Sequence, residues 1–252
     1  MPTNPLEAFA TVLFVHAHPD DETLATGVVL AELAERGVRT AVLTASRGEA
    51  GEVAAGDVAP GSPELAAARE RELACAAAEL GVSELCFLGR PPASASGVEH
   101  RYTDSGMRWV DDAETLAGPG DDAAEDALSL ADPSAVTADI VAYASAVGAD
   151  VIVGYDPRGG YGHPDHIALH STSAAAASEL GIPFVEVVSW SRSDAGRPPA
   201  DDAFWVERPD LLDTLVRALR CYRTQVTVDG TNVVHVGGQV EPIPTSVGLR
   251  RA

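Results

Sequence analysis

Val12-Leu13-Phe14-Val15-His16-Ala17-His18-Pro19-Asp20-Asp21-Glu22 is a short apolar run that ends in an imidazole and three consecutive carboxylates. An apolar run of this length followed by an amphipathic stretch reads as a buried strand feeding a helix. The charged cluster then lies at the strand's carboxyl end, the edge of an open α/β sheet where ligands bind. Placing Asp20, Asp21 and Glu22 side by side is electrostatically unfavourable unless a cation, donors or solvent separate them. The cluster therefore suggests a hard or borderline metal, and zinc would accept His18 plus a carboxylate. Read alone, the same carboxylates also fit a helix N-terminus, where they meet free N–H groups and the dipole.

Working outward, Glu22 to Arg36 carries Leu24, Val28, Leu30 and Leu33 and stops at Gly37, the pattern of a helix. Val38 to Ala45 is a second buried strand, completing a parallel βαβ unit. The glycine-punctuated loop Ser46-Arg47-Gly48-Glu49-Ala50-Gly51-Glu52 follows at the same sheet edge. Ser62-Pro63-Glu64 is an N-cap with proline at the first helical position, and it predicts a helix to Leu80 before Gly81. Leu85 to Leu88 reads as a third strand. The segment from Arg90 to Ala131 is irregular and polar, an excursion over the sheet edge with a solvated acidic stretch from Asp111 to Asp126. Asp132-Pro133 starts another capped helix through Val147, and Asp150 to Gly154 is a short apolar strand.

That strand opens into Tyr155-Asp156-Pro157-Arg158-Gly159-Gly160-Tyr161-Gly162-His163-Pro164-Asp165-His166, so a second strand delivers His and Asp to one edge. A helix is expected over Ile167 to Leu180, a strand over Phe184 to Trp190, a helix over Pro209 to Tyr222 and a hairpin over Val226 to Val236. The tail after Gly237 looks loosely ordered. The whole reads as α/β, a Rossmann-like, open and mostly parallel sheet with helices on both faces. One domain over residues 1–252 is expected, with a pocket-forming excursion at about 90–131.

The chain has 252 residues, 46% of them hydrophobic, enough for a full core. No run reaches the roughly 20 apolar residues of a spanning helix. The first residues lack a basic region, so a cytoplasmic address is expected. The net charge of -21, with only 17 basic residues, disfavours nucleic acid and anionic membranes and favours a small-molecule substrate. Cys75, Cys86 and Cys221 are odd in number and lack CxxC spacing, which argues against a disulfide framework and a thiolate zinc site.

Catalytic zinc takes three protein ligands and leaves the fourth position to water. His18, Asp21 and His166 would supply such a set, with His163 facing the same cavity. His166 and His170, four residues apart, have the spacing of helical zinc pairs and compete with that reading.

Two His/Asp clusters after two buried strands resemble the LmbE/PIG-L family of zinc-dependent N-acyl-sugar deacetylases, which carries the fold expectation with it. The resemblance rests on Ala17-His18-Pro19-Asp20-Asp21-Glu22 and His163-Pro164-Asp165-His166. Ser46-Arg47-Gly48-Glu49-Ala50-Gly51, Arg69-Glu70-Arg71-Glu72-Leu73 and Tyr102-Thr103-Asp104-Ser105-Gly106-Met107 support it. Within the family the chain is most similar to the mycothiol branch, the deacetylase of acetylglucosaminyl-inositol and the mycothiol S-conjugate amidase.

The resemblance implies zinc, or another divalent metal such as Fe2+, on His18, Asp21 and His166, with Asp20 as general base. It implies that His163 or the Tyr161 hydroxyl helps the oxyanion, that cationic His163 or protonated Asp20 gives the leaving amine its proton, and that Asp165 steadies His163 or a ligand imidazole. Arg69, Asp104 and Glu49 are the implied sugar contacts, and a homo-oligomer is implied as well. The expected activity is removal of the N-acetyl group from an N-acetylglucosamine-type conjugate. An amidase of a thiol S-conjugate and a non-catalytic α/β ligand-binding protein are the competing readings.

Overall fold

A computed structural model of the chain describes residues 4–54, 58–110, 117–189 and 202–252. Its strands are β1 (Thr11–His16), β2 (Arg39–Thr44), β3 (Glu84–Phe87), β4 (Arg108–Trp109), β5 (Ala117–Gly118), β6 (Val151–Tyr155), β7 (Phe184–Val187), β8 (Phe204–Glu207), β9 (Val226–Asp229), β10 (Asn232–His235), β11 (Val240–Pro242) and β12 (Ser246–Arg251). Its helices are α1 (Asp21–Glu35), α2 (Pro63–Leu80), α3 (Pro133–Val147), α4 (Pro164–Leu180) and α5 (Leu212–Leu219).

Among the described residues the main sheet has seven strands in the order β3-β2-β1-β6-β7-β12-β8. The run from β3 to β7 is parallel throughout, with Phe14 opposite Val42 on one side and Val153 on the other. Because both faces are covered, β1 is buried along its whole length, which is why it reads as a continuous apolar run. Side chains still alternate. Val12 and Phe14 join the core under α1, α2 and α5, whereas Leu13 and Val15 join the core under α3 and α4. The expected Rossmann-like α/β architecture with helices on both faces is what the chain adopts.

The helix starts follow local chemistry. Ser62 accepts a hydrogen bond from the Leu65 N–H at 3.2 Å ahead of Pro63, and Asp132 accepts one from Ser134 ahead of Pro133. The excursion after β3 is tied down by one buried carboxylate. Asp139 on α3 accepts from the Tyr102 hydroxyl at 2.8 Å and the Ala95 N–H at 2.7 Å, and His100 Nε2 lies 2.8 Å away. That anchorage buries Tyr102 and fixes the residues after it, Asp104 and Ser105, over the sheet edge.

Two expectations are corrected. The tail after Gly237 is ordered: β11 extends the hairpin of β9 and β10, and β12 enters the main sheet antiparallel between β7 and β8. Val247 and Leu249 are buried there, and Gly248 leaves room for Trp205, whose ring would lie 3.0 Å from an added Cβ. Flanked by polar residues, this strand has too few apolar positions for its periodicity to be legible. The second correction concerns the cysteines, since Cys75 and Cys221 form a disulfide across a sequence separation of 146. Spacing rules detect local pairs, whereas this pair exists only because α2 packs on α5; Cys86 stays free and buried. Trp190, the expected end of β7, lies outside the described residues.

Candidate active site

The carboxyl ends of β1 and β6 are neighbours in the sheet, so both His/Asp clusters arrive at one point. His18 follows β1, Asp21 opens α1, His163 caps α4 and His166 lies in its first turn. Asp21 Oδ2 lies 3.3 Å from His18 Nδ1 and 3.2 Å from His166 Nε2. The ring nitrogens of His18, His163 and His166 come within 4.8 Å of one another.

Tautomers can be read from the partners. His18 Nε2–H donates to Asp165 Oδ2 at 3.2 Å and His166 Nδ1–H donates to the Gly159 carbonyl at 3.2 Å. His166 Nε2 is then left facing the Asp21 Oδ2 oxygen, with His18 Nδ1 on the other side of the same oxygen. His166 Nε2 is buried and has no hydrogen-bond partner. Acceptors converging in this way repel unless extra protons or one cation lie between them. His18 and His163 also gather with Asp104 and Asp165 within 4.8 Å, and with Asp21 beside two of the imidazoles this donor set of imidazole and carboxylate fits a divalent transition metal.

The charge balance points the same way. Burial would raise Asp21, but the His166 and His18 imidazoles hold its carboxyl well below the usual carboxylate range. Burial pushes the Asp20 carboxyl up, and the like charges of Asp21 and Glu22 push it further. Burial would lower His18, yet Asp104, Asp165 and Asp21 raise it well above an ordinary imidazole. Burial, with His18 and His166 nearby, lowers His163 to about 4. The pocket holds more carboxylate than its own groups balance.

Each of the other expected site residues has a definite place. Asp20 is half-buried at the head of α1 and makes no capping hydrogen bond, so helix capping does not account for it. His163 Nδ1 accepts the Asp165 N–H at 3.2 Å, which leaves Nε2 toward Asp104 Oδ1 at 4.0 Å. Tyr161 is 62% exposed at the mouth, its ring centre 6.0 Å from that of His163. Asp104 Oδ1 lies 3.4 Å from His18 Nε2. Glu49 Oε2 accepts the Arg47 and Asp104 N–H groups, each at 3.1 Å, joining the loop after β2 to the turn carrying Asp104. Arg69 is 2% exposed; its guanidinium donates to the Gly48 carbonyl and, at 3.0 Å, to the Glu52 carbonyl. It therefore shapes that loop directly. His170 turns away, with Nδ1 donating to the Tyr155 carbonyl at 3.0 Å, so the His166–His170 pairing is not formed. His16 is a packed strand residue, its Nε2 3.0 Å from Thr26 Oγ1 and its pKa lowered to about 4 by burial.

Residues 13–177 match the PIG-L family, described as GlcNAc-PI de-N-acetylase. The 1D-myo-inositol 2-acetamido-2-deoxy-alpha-D-glucopyranoside deacetylase of Saccharomonospora viridis is 33% identical over 268 residues, covering 93% of this chain and 92% of that protein. The chain belongs to the LmbE/PIG-L family. The protein of the same description from Kineococcus radiotolerans is 45% identical over 166 residues, 66% of this chain but 44% of that longer protein. Both relatives lie in the branch whose motifs the sequence resembles. The N,N'-diacetylchitobiose deacetylase of Pyrococcus horikoshii shares the fold, with a TM-score of 0.61 at 19% identity over 88% of this chain and 72% of that one.

Sequence reasoning missed Tyr155. Its hydroxyl donates to Asp21 Oδ2 at 2.8 Å and accepts from the Ala17 N–H at 2.9 Å. Its ring stacks on His166 with centres 4.1 Å apart and planes 11° apart. Ser105 and Ser129, which donate to Asp165 and steady the support of His18, were also not singled out. A tyrosine at a strand end and serines in a polar loop carry no sequence signal of their own.

Proposed function

We propose that this protein is a zinc-dependent deacetylase that hydrolyses the acetamide of an N-acetylglucosamine-type conjugate, releasing acetate and the free amine. The observation that carries it is the convergence of His18 Nδ1 and His166 Nε2 on Asp21 Oδ2 with Asp20 alongside, in a chain whose family and curated relatives are described as deacetylases. His18, Asp21 and His166 would hold the metal, with His163 facing the same cavity without ligating it. Bound zinc supplies acidity to water and polarises the carbonyl. Asp20 takes a proton from the water that adds to the acetyl carbon. The Tyr161 hydroxyl and the His163 Nε2–H donate toward the oxygen that gains charge, and Asp20 returns the proton it took from water to nitrogen as the C–N bond breaks. Asp165 steadies the His18 imidazole, Asp104 faces the sugar, and Arg69 and Glu49 act through the loop and turn they hold in place.

The test is release of acetate and amine from N-acetylglucosaminyl-inositol by zinc-loaded protein, with activity lost on chelation and restored by added zinc. Asp20→Asn is expected to lower turnover by about 10²–10⁴-fold. Full turnover in that variant, or no turnover by the loaded wild type on any N-acetylglucosaminyl conjugate, overturns the reading.

A further inference from the structure

The segment after α5 lies outside the residues that match the family and carries no motif, yet it packs against the turn that presents Asp20. Tyr222 is fully buried, and its hydroxyl donates to Glu22 Oε1. Glu22, also fully buried, uses its other oxygen to accept the Asp20 N–H at 3.1 Å. Gln225 Nε2 donates to the Pro19 carbonyl, and its side chain lies beside the Asp20 carboxyl. Thr224 between them binds Glu72 on α2 through its N–H at 3.0 Å and its hydroxyl at 2.7 Å. The Cys75–Cys221 disulfide secures the start of the segment to the same helix.

The turn held in this way is strained. Asp20 has φ 103°, the one positive value outside glycine among the described residues. A side chain with a Cβ rarely adopts that conformation without surroundings that impose it. An ordinary Asp N-cap lies in the extended region and bonds the helix N–H groups, whereas Asp20 makes no such bond and its carboxylate is left for the cleft. Gln225 Oε1 is buried without a partner, a cost expected where a side chain is placed for its donor group.

We propose that Gln225, and Tyr222 acting through Glu22, are positioning residues for the reaction, holding the Pro19–Asp20 turn in the left-handed conformation that presents the Asp20 carboxylate to the cleft. This rests on Asp20 being the general base, and it makes the C-terminal segment part of the catalytic unit.

The experiment is steady-state kinetics of the full zinc-loaded chain on N-acetylglucosaminyl-inositol, with metal stoichiometry and Tm measured on every variant. Gln225→Ala is expected to lower kcat about tenfold, and Gln225→Glu about 100-fold, with KM and zinc content unchanged. That order is diagnostic, because Glu matches Gln in shape but loses the donor and repels Asp20. A purely structural role would instead lower kcat only in step with zinc content or Tm. Tyr222→Phe, which deletes one hydroxyl, is expected to lower kcat about fivefold. The proposal is overturned if Gln225→Glu is milder than Gln225→Ala, if kcat falls only with zinc content or Tm, or if Tyr222→Phe keeps wild-type kcat. Wild-type kcat in the Gln225 variants beside an inactive Asp20→Asn removes the clamp alone. An active Asp20→Asn removes the base assignment and the clamp with it.

Discussion

Asp21 Oδ2 accepts two hydrogen bonds and lies between two imidazoles, so its neighbours decide how well the site holds a cation. Tyr155 is the neighbour whose contribution can be isolated, because Phe keeps the ring stacked on His166 and deletes only the hydroxyl. Tyr155→Phe is expected to weaken metal affinity about 10–100-fold, read by competition with a chromophoric chelator. An unchanged affinity would remove Tyr155 from the metal's support. At this scale the histidines and paired carboxylates were legible in the sequence, since such residues seldom stand together at strand ends without a task. Tyr155 was not, because nothing in its own segment shows that Asp21 lies beside it.

The loop after β2 is held from below by charge. Arg47 is 1% exposed, lies 4.1 Å over the Phe87 ring and pairs with Glu70 Oε1 at 2.9 Å. Burial would raise the Glu70 carboxyl, but Arg47 and Arg90 hold it below the usual range. A carboxylate lowered in the folded state contributes stability above its unfolded pKa and loses it as pH falls through the folded value. Glu70→Gln should therefore cost about 1–2 kcal/mol at neutral pH and progressively less below about pH 4, measured by urea unfolding at each pH. A penalty that does not change with pH would contradict an ionic origin. The disulfide links α2 to the residues just after α5. Replacing Cys75 and Cys221 with serine should lower stability by about 2–5 kcal/mol in urea unfolding, because a long loop of the unfolded chain is released. Helices and buried strands were readable because periodicity, Ser-Pro and Asp-Pro starts and glycine stops are local signals. The bridge was not, because it depends on how two helices pack.

Across the whole molecule, β12 joins β7 to β8 and seals one side of the sheet. Truncation after Pro244 removes this strand and leaves two unpaired edges, so the shortened chain should aggregate on size-exclusion chromatography while the full chain does not. A well-behaved truncated protein would show that the C-terminal strand is dispensable. Among the described residues no helix is long and apolar enough to cross a membrane. The net charge of -21 coexists with a pocket that is itself carboxylate-rich, so the site's demand for a cation is local and not a reflection of the whole surface alone.

From sequence alone came the parallel α/β core, the two junctions that carry chemistry and the family, because each is encoded by neighbouring residues. Tertiary structure decided which atoms face one another: Tyr155 against Asp21, Asp165 against His18, Cys75 against Cys221, and Gln225 against the Asp20 turn. Those pairs are separated by many residues along the chain, and only the packing of strands and helices brings them within hydrogen-bonding or bonding distance. No periodicity or spacing within a single segment contains that information.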